Sequence, residues 1–155
     1  MEAVQLRPIR YEDMDFLYTV YATTRAGEMA LVDWDDTQKQ AFLTMQFNAQ
    51  HQYYVSQFPN ANLDILEMNK EGIGRLYTDR LQHKIHIIDI TLLPEFRGQG
   101  IGSNLIQKLL DEAAPTDKCV SIHVEQSNPA MRLYQRLGFR MVQDDEIYKQ
   151  MEWSP

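Results

Sequence analysis

The chain has 155 residues and a mass of 18.2 kDa, and 44% of its residues are hydrophobic and 24% charged, as in one globular domain. Its net charge of -7 repels a phosphate backbone, and no run of about 18 apolar residues could cross a membrane, so neither nucleic acid nor a membrane is expected as a partner. One cysteine cannot form an internal disulfide, and the N-terminal residues lack the pattern of a signal peptide. We therefore expect a single domain over 1–155 and a cytoplasmic location.

The N-terminal residues predict a short strand followed by a helix. Val4 and Leu6 alternate with polar residues before Pro8, which is typical of a strand. Apolar residues then recur with a helical period and predict a helix over 11–25: Met14, Leu17, Tyr18 and Tyr21.

A second helix is predicted after a loop at 26–35. Thr37 and Gln40 have the spacing of a capping box, and the following stretch 41–55 contains neither Gly nor Pro. The helix is expected to end at Phe58, which precedes Pro59-Asn60.

Three strands are predicted next, over 63–65, 73–77 and 85–93. Turn-forming residues at 69–72 and 78–80 separate them. The third strand is apolar on both of its faces, which predicts a central strand of a sheet that is covered on both sides.

The C-terminal part predicts a helix, a strand and a hairpin. An apolar helical face runs over 101–110 and ends before Pro115, and alternating apolar residues over 120–124 predict a strand. Stretches 139–142 and 147–153 are expected to form the two strands of a closing hairpin.

One more short helix is predicted over 129–137. Asn128 suits its N-cap, Pro129 its first helical position and Gly138 the position after its end. The resulting order β-α-α-β-β-β-α-β-α-β-β mixes hairpins with a strand-helix-strand unit that crosses over in the right-handed sense. We therefore predict an α/β domain with a mixed sheet.

The sequence Arg97-Gly98-Gln99-Gly100-Ile101-Gly102 stands between the predicted central strand and a helix. Alternate glycines can turn backbone N–H groups toward one point, and the helix adds partial positive charge there, so the turn could bind a pyrophosphate. The alternative is a tight connection that binds nothing. The Rossmann fingerprint G-x-G-x-x-G does not match, because position 103 is Ser. A nucleoside-triphosphate loop is also excluded, because no G-x-x-x-x-G-K-[ST] occurs.

Two motifs in the right order closely resemble the GNAT superfamily of acyl-CoA N-acyltransferases. Residues 92–102 read LLPEFRGQGIG and resemble its R-x-x-G-x-G/A loop. Residues 124–130 read VEQSNPA and are followed by Leu133-Tyr134 and by LGF at 137–139, which resembles its N-P-A…L-Y…L-G-F helix. The resemblance implies a mixed, mostly antiparallel sheet of six or seven strands flanked by about four helices.

The resemblance also implies acetyl-CoA as co-substrate, with the backbone of Leu92 and Leu93 along its pantetheine arm and Asn128 and Tyr134 beside it. Asn128 is equally explained as an N-cap and Tyr134 as part of an apolar helix face. The full set of expected cofactor-binding residues is Leu92, Leu93, Arg97, Gly98, Gln99, Gly100, Ile101, Gly102, Ser103, Asn128 and Tyr134.

Tyr134 and His86 are the expected catalytic residues. By resemblance, Tyr134 lies near the thioester sulfur, where its phenol could protonate the departing thiolate. His86 stands where some members of the family carry a catalytic Glu or His, and Asp89 is the alternative base. Both could instead be packed strand residues. No metal is expected, since His83 and His86 are three apart in an extended segment and face opposite ways.

The acceptor is expected to be chosen by residues 25–58, where aromatic and amide side chains gather around the second helix. Trp34, Phe42 and Gln46 are its predicted substrate-binding residues. Such a pocket could hold an amine by stacking and amide hydrogen bonds, whereas the alternative is a helix face that packs on the sheet.

These observations predict an acetyl-CoA-dependent N-acetyltransferase that acts on a primary amine of a small molecule or peptide by direct transfer in a ternary complex. The alternatives are a CoA-binding module without catalysis, which serves as a sensor or structural subunit, and a nucleotide-binding protein of another class. A homodimer could form through an exposed Trp153 or the edge of the C-terminal hairpin.

Overall fold

The computed structural model describes residues 3–125, 128, 130–145 and 147–155. The strands are β1 (Gln5–Pro8), β2 (Asn62–Met68), β3 (Glu71–Arg80), β4 (Lys84–Leu92), β5 (Cys119–Glu125), β6 (Arg140–Asp144) and β7 (Tyr148–Trp153). The α-helices are α1 (Met14–Thr24), α2 (Ala26–Met29), α3 (Asp36–Gln57), α4 (Ile101–Ala113) and α5 (Met131–Arg136). Within the described ranges, no helix is both long and apolar enough to span a bilayer.

The seven strands form one sheet in the order β1-β2-β3-β4-β5-β7-β6. β1 pairs with β2, β5 with β7 and β6 with β7 in antiparallel sense, whereas β4 and β5 are parallel, as a strand-helix-strand crossover through α4 requires. The predicted mixed α/β fold is therefore confirmed.

The described chain divides into two compact units. The first unit is Met1–Leu76 with Thr91–Phe96, and the second is Tyr77–Ile90 with Arg97–Pro155.

In the first unit, α1 packs against α3 through aromatic side chains. The rings of Tyr18 and Tyr21 each lie 6.0 Å from the ring of Phe47. Arg75 of β3 is 2% exposed and donates a hydrogen bond of 2.9 Å to the side-chain oxygen of Gln50 on α3. Helix α3 is thus held by aromatic contacts with α1 and by a hydrogen bond to β3.

An ion-pair network fixes β1 and β2 in the same unit. Arg7 pairs with both oxygens of Asp13 at 2.7 and 2.8 Å and with Glu67 at 3.0 Å. The Arg7 hydrogen bonds outweigh burial and lower the pKa of Asp13. Because Asp13 is buried, its carboxylate depends on this partner.

A glycine in β3 allows a close backbone approach in the first unit. A Cβ atom built on Gly74 would collide with the carbonyl oxygen of Thr91 and lie 3.0 Å from the Cα of Leu92. Leu93, the residue directly after β4, donates its N–H to the carbonyl oxygen of Ile73 on β3 at 2.8 Å. Only glycine therefore permits this spacing between β3 and the end of β4.

The second unit has its core between α4 and the strands. Ile85 lies opposite Val120, and Ile87 lies opposite Ile122, which is itself opposite Met151. All five side chains are at most 4% exposed. The apolar face of α4 covers this region with residues that are all at most 5% exposed: Ile101, Leu105, Ile106, Leu109, Leu110 and Ala113.

Two details of the N-terminal prediction are wrong. Residues 26–29 of the expected loop form helix α2. The capping box of α3 joins Asp35 and Gln38 rather than Thr37 and Gln40: the Asp35 side chain accepts the Gln38 N–H at 2.8 Å, and the Gln38 side chain accepts the Asp35 N–H at 3.0 Å. The acidic side chain two residues before Thr37 therefore determines where α3 begins.

Two C-terminal details also differ. Helix α5 begins at Met131 with Ala130 as its N-cap, although the Asn128 side chain does accept the Ala130 N–H at 2.8 Å; Pro129 lies outside the described residues.

Trp153 is only partly exposed, because its ring lies beside Gly138, where a Cβ would be 3.2 Å away. Gly138 has the predicted positive φ, 101°, after the end of α5.

Candidate active site

The glycine turn of the second unit has the backbone that its sequence predicts. Gly98 has φ 74° and Gly100 has φ 84°, both in the left-handed region, and Gly100 is the N-cap of α4. The first N–H bond inside α4 runs from Asn104 to the carbonyl oxygen of Gly100 at 3.0 Å. The preceding N–H groups, those of residues 101–103, have no acceptor within the helix, as at every helix N-terminus.

The space before this turn is open. A Cβ at Gly98, Gly100 or Gly102 would have no atom within 4 Å, and Arg97 and Gln99 are exposed. The first turn of α4 contains no acidic side chain. Unpaired N–H groups, a helix dipole and an exposed guanidinium make this end of α4 suitable for an anion. The Ile101 side chain is buried, so only its backbone can contribute.

Tyr134 is a buried phenol on α5. It is 4% exposed, and its ring packs edge to face on Phe139 at 5.8 Å. Burial, with a smaller contribution from the charge of Asp89, raises the pKa of Tyr134 to about 12. The hydroxyl is therefore protonated at neutral pH and can act as a proton donor.

His86 is a half-buried imidazole in β4. Its Nδ1 lies 2.8 Å from the hydroxyl of Ser121, and its ring meets that of His123 at 5.2 Å. Burial first, and then the charges of His123 and Lys84, lower the pKa of His86 to about 4. His86 is therefore neutral at pH 7. The ring contact of His86 is with His123, whereas that of Tyr134 is with Phe139.

His123, for which the sequence predicts no role, lies beside His86. His123 is exposed on β5 and lines a cavity of about 190 Å³ with four side chains of the hairpin: Gln143, Asp145, Tyr148 and Gln150. Side chains alternate along β5, so the sequence predicts that His123 and Ser121 lie on the same face of the sheet. The contact between Ser121 and His86 depends on the register of β4 with β5, which the sequence does not show.

The predicted acceptor residues belong to the first unit. The rings of Trp34 and Phe42 meet edge to face at 5.3 Å, with Trp34 40% exposed, while Gln46 is half-buried one turn further along α3. Leu92 and Leu93, predicted to line the pantetheine arm, are half-buried at the end of β4. The Leu93 N–H donates to the carbonyl oxygen of Ile73 at 2.8 Å, and the Leu93 carbonyl oxygen accepts the Phe96 N–H at 3.0 Å.

Residues 3–125, 128, 130–145 and 147–155 contain no group of three or more His, Cys, Asp or Glu side chains that could hold a metal ion. The one cysteine, Cys119, is half-buried and donates to Glu152 at 3.2 Å. Burial, followed by its contact with Glu152, raises the pKa of this thiol.

Comparison with known families identifies the class of protein. Residues 28–139 match the Acetyltransferase (GNAT) family, so the chain belongs to that family. This confirms the resemblance drawn from the two motifs and the predicted enzyme class, an acyltransferase.

Among curated relatives, the N-alpha-acetyltransferase RimI of Mycobacterium tuberculosis is 28% identical over 132 residues, 80% of this chain and 79% of that protein. The Cysteine-rich protein 2-binding protein of Mus musculus is 35% identical over 69 residues, 44% of this chain, and the match spans only 9% of its own length.

A solved structure with the same fold is that of the PaiA N-acetyltransferase of Thermoplasma acidophilum in complex with coenzyme A. It superposes with a TM-score of 0.70 at 15% identity and covers 99% of both chains. This likeness confirms the fold that the resemblance implied, a mostly antiparallel mixed sheet, here with seven strands and, in the described ranges, five α-helices.

Proposed function

We propose that the protein transfers an acetyl group from acetyl-CoA to a primary amine of a small molecule or peptide, by direct transfer in a ternary complex. The observation that carries this proposal is the turn at 97–102, whose two left-handed glycines precede the N-terminus of α4. Family membership supports the chemistry, and the coenzyme A complex of PaiA supports the choice of co-substrate.

The residues at the turn fit a pyrophosphate. Open space in front of Gly98 and Gly100 admits phosphate oxygens close to the backbone, Gly102 offers its N–H, and Arg97 adds a formal positive charge. We propose that Gln99, Ile101 and Ser103 contribute backbone or side-chain hydrogen bonds there. Leu92, Leu93 and Asn128 complete the proposed cofactor set through the family resemblance.

Acetyl-CoA supplies the activated acyl group, and the protein supplies proton transfer and orientation. The amine nitrogen bonds to the acyl carbon, the carbon-sulfur bond breaks, the amine loses a proton and the sulfur gains one. Tyr134 is proposed as the donor to sulfur, because its raised pKa keeps the hydroxyl protonated at neutral pH. Because the phenol is neutral before the transfer, no charge is buried at Tyr134 in the resting site.

His86 is proposed as the group that takes the amine proton. Its imidazole is neutral at pH 7, which leaves one ring nitrogen able to accept. A pKa near 4 makes it a weak acceptor, so the proposal requires that the amine bind in a form that loses its proton readily. Asp89 is the competing candidate.

The acceptor proposal is a primary amine, with an N-terminal amine of a peptide favoured by the RimI similarity. Trp34, Phe42 and Gln46 are proposed to contact it, since the two rings already meet edge to face and Gln46 lies on the same helix as Phe42. A homodimer and a cytoplasmic location are further proposals, the latter resting on the single cysteine.

The test is isothermal titration with acetyl-CoA, followed by thiol release in a panel of free-amine peptides, amino acids, polyamines and other amines. We expect binding near the micromolar range and release with one amine class. Arg97→Gln is the matched variant: it should weaken acetyl-CoA binding several-fold while leaving turnover at saturation little changed.

Each outcome decides between the candidate functions. Binding without release with any amine would favour the module that binds CoA without catalysis. Binding of NADH or ATP in preference to acetyl-CoA would favour a nucleotide-binding protein, and absence of any acetyl-CoA binding would overturn the proposal.

A further inference from the structure

Trp153 at the end of β7 lies against the glycine that follows α5. A Cβ built on Gly138 would be 3.2 Å from Cδ1 and 3.4 Å from Nε1 of the Trp153 ring. The indole therefore lies close to the place where any other residue at 138 would carry its side chain. Gly138 also has φ 101°, in the left-handed region that favours glycine. Its backbone conformation and the room for the indole thus both require glycine at this position.

The sheet, and not the helix, holds Trp153. It is the last residue of β7 and lies opposite Val120 of β5, which is fully buried. A residue in a paired strand keeps its backbone position, so the indole provides a fixed support for the end of α5.

The end of α5 is tied directly to Tyr134. The N–H of Gly138 donates to the carbonyl oxygen of Gln135 at 3.1 Å, and the N–H of Phe139 donates to the carbonyl oxygen of Tyr134 at 3.0 Å. These two bonds form a Schellman motif, in which a left-handed glycine closes a helix. The Phe139 ring also packs on the Tyr134 ring at 5.8 Å. Tyr134 is therefore joined to the residue after the glycine by its backbone and by its ring.

Helix α5 is too short to fix the orientation of Tyr134 alone. It has six residues, which is fewer than two turns. Helices of this length are not stable without contacts to the rest of the protein. Since Tyr134 and Phe139 are both buried, their rings can move only if the supporting contacts at the end of the helix move.

We propose that Trp153 is a positioning residue for Tyr134: its indole keeps the Gly138 turn closed and so holds the phenol hydroxyl where it can donate to the thioester sulfur. The inference rests on the proposed function, because it explains how the proposed proton donor is oriented. Proton transfer requires donor and acceptor at hydrogen-bond distance, so a small displacement of the ring lowers turnover and leaves the cofactor-binding turn intact.

The first test is Trp153→Leu, which removes the indole and keeps an apolar side chain. We expect kcat to fall about threefold to tenfold, while the Kd for acetyl-CoA stays within about twofold. Trp153→Phe retains an aromatic ring next to Gly138 and should restore most of kcat. Leu110→Val is the matched control, because it lowers stability by shortening a buried side chain of α4. Its kcat should be unchanged below its unfolding temperature.

A double-mutant cycle with Tyr134→Phe decides whether Trp153 acts through Tyr134. Without the phenol hydroxyl, Trp153→Leu should lower kcat no further, whereas a merely structural effect would be equal in both backgrounds. Phe139→Leu removes the ring contact with Tyr134 and should show the same dependence on the hydroxyl. This variant carries the cycle if Trp153→Leu does not fold.

A measurement without substrates separates this inference from the proposed function. Relaxation of the Tyr134 ring protons by a soluble gadolinium chelate reports the exposure of that ring, and it should rise in Trp153→Leu and stay unchanged in Leu110→Val. Such a rise, with no acetyl transfer to any amine by the unmodified protein, would uphold the positioning and reject the acetyltransferase. Unchanged relaxation at Tyr134, additive effects in the cycle, or an equal loss of kcat in Leu110→Val would overturn the inference.

Discussion

Tyr134 combines a buried packing position with a proposed role in proton transfer. Its ring fills the space beside Phe139, while its hydroxyl stays protonated because burial disfavours the phenolate. Packing depends on the ring and proton donation on the hydroxyl, so the two roles are separable by a single atom.

We expect Tyr134→Phe to lower kcat by about tenfold to a hundredfold, since only the proton donor is removed, while the Kd for acetyl-CoA stays within about twofold. Steady-state kinetics and titration measure the two quantities. The control is Tyr53→Phe, an exposed tyrosine on α3, which should change neither. Full activity of the Tyr134 variant would leave this side chain with packing alone.

His86 makes stability depend on pH in a definite direction. The unfolded chain takes up a proton at this residue below pH 6.5, whereas the folded chain does so only near pH 4. Stability contributed by neutral His86 is therefore present above pH 6.5 and is lost as the pH falls toward 4, by about 2 kcal/mol once solvent screening is allowed for.

His86→Gln should accordingly lose less stability than the unmodified protein between pH 7 and pH 4.5, as measured by urea denaturation. His83→Gln, which removes an exposed histidine just before β4, should keep the original pH dependence. Carboxylates also titrate in this range, but they contribute equally to the pH dependence of stability in all three proteins. Identical pH dependence for the His86 variant would show that burial does not hold this imidazole neutral.

At the scale of elements, the start of α4 combines a structural and a proposed binding role. Gly100→Ala places a side chain at φ 84°, which should cost about 1 kcal/mol of stability and weaken acetyl-CoA binding about tenfold. Gly102→Ala lies inside the helix in open space and should stabilise by about 0.5 kcal/mol. It should keep cofactor affinity, because the resembling motif admits alanine there.

Thermal denaturation and acetyl-CoA titration on the two alanine variants check this pair of predictions. Equal effects of the two substitutions on cofactor affinity would argue against the turn geometry as the reason for binding.

The junction of β3 with the end of β4 depends on Gly74. Gly74→Ala should lower the free energy of unfolding by about 3 kcal/mol, because its Cβ meets the backbone oxygen of Thr91, which cannot move without breaking the sheet. Gly72→Ala is the control, since its Cβ would meet the ring of Phe16 at 2.9 Å, and a side chain can shift. Equal losses of unfolding free energy in the two variants, measured by urea denaturation, would contradict the expectation that the backbone at Thr91 cannot move.

The sequence predicted those elements whose signals are local. Alternating apolar residues located the strands, and the glycine positions located both the turn at 97–102 and the end of α5. The register between strands is not local, so the meeting of His86 with Ser121 and His123 was not foreseen. Competing local signals also misplaced the start of α3, where Asp35 and Thr37 are both acceptable caps.

For the whole molecule, the proposed homodimer has an available edge. β6 ends the strand order, and Met141 and Val142 on it are 45% and 49% exposed. Sedimentation equilibrium should then give twice 18.2 kDa, and Val142→Lys should return the mass of one chain. Val55→Lys, on the exposed side of α3, is the control that should leave the dimer intact. A single-chain mass for the unmodified protein at all concentrations would reject the dimer.

The parallel pairing of β4 with β5 bears on how the protein acquires its fold. Residues 93–118, including α4, must be traversed before these two strands can meet, whereas hairpins such as β6–β7 close over a few residues. Closing the longer connection costs more chain entropy before any contact compensates for it. Closing this connection is therefore expected to limit the rate of folding, so the folding rate should respond more to changes in α4 than to changes in the hairpin loop.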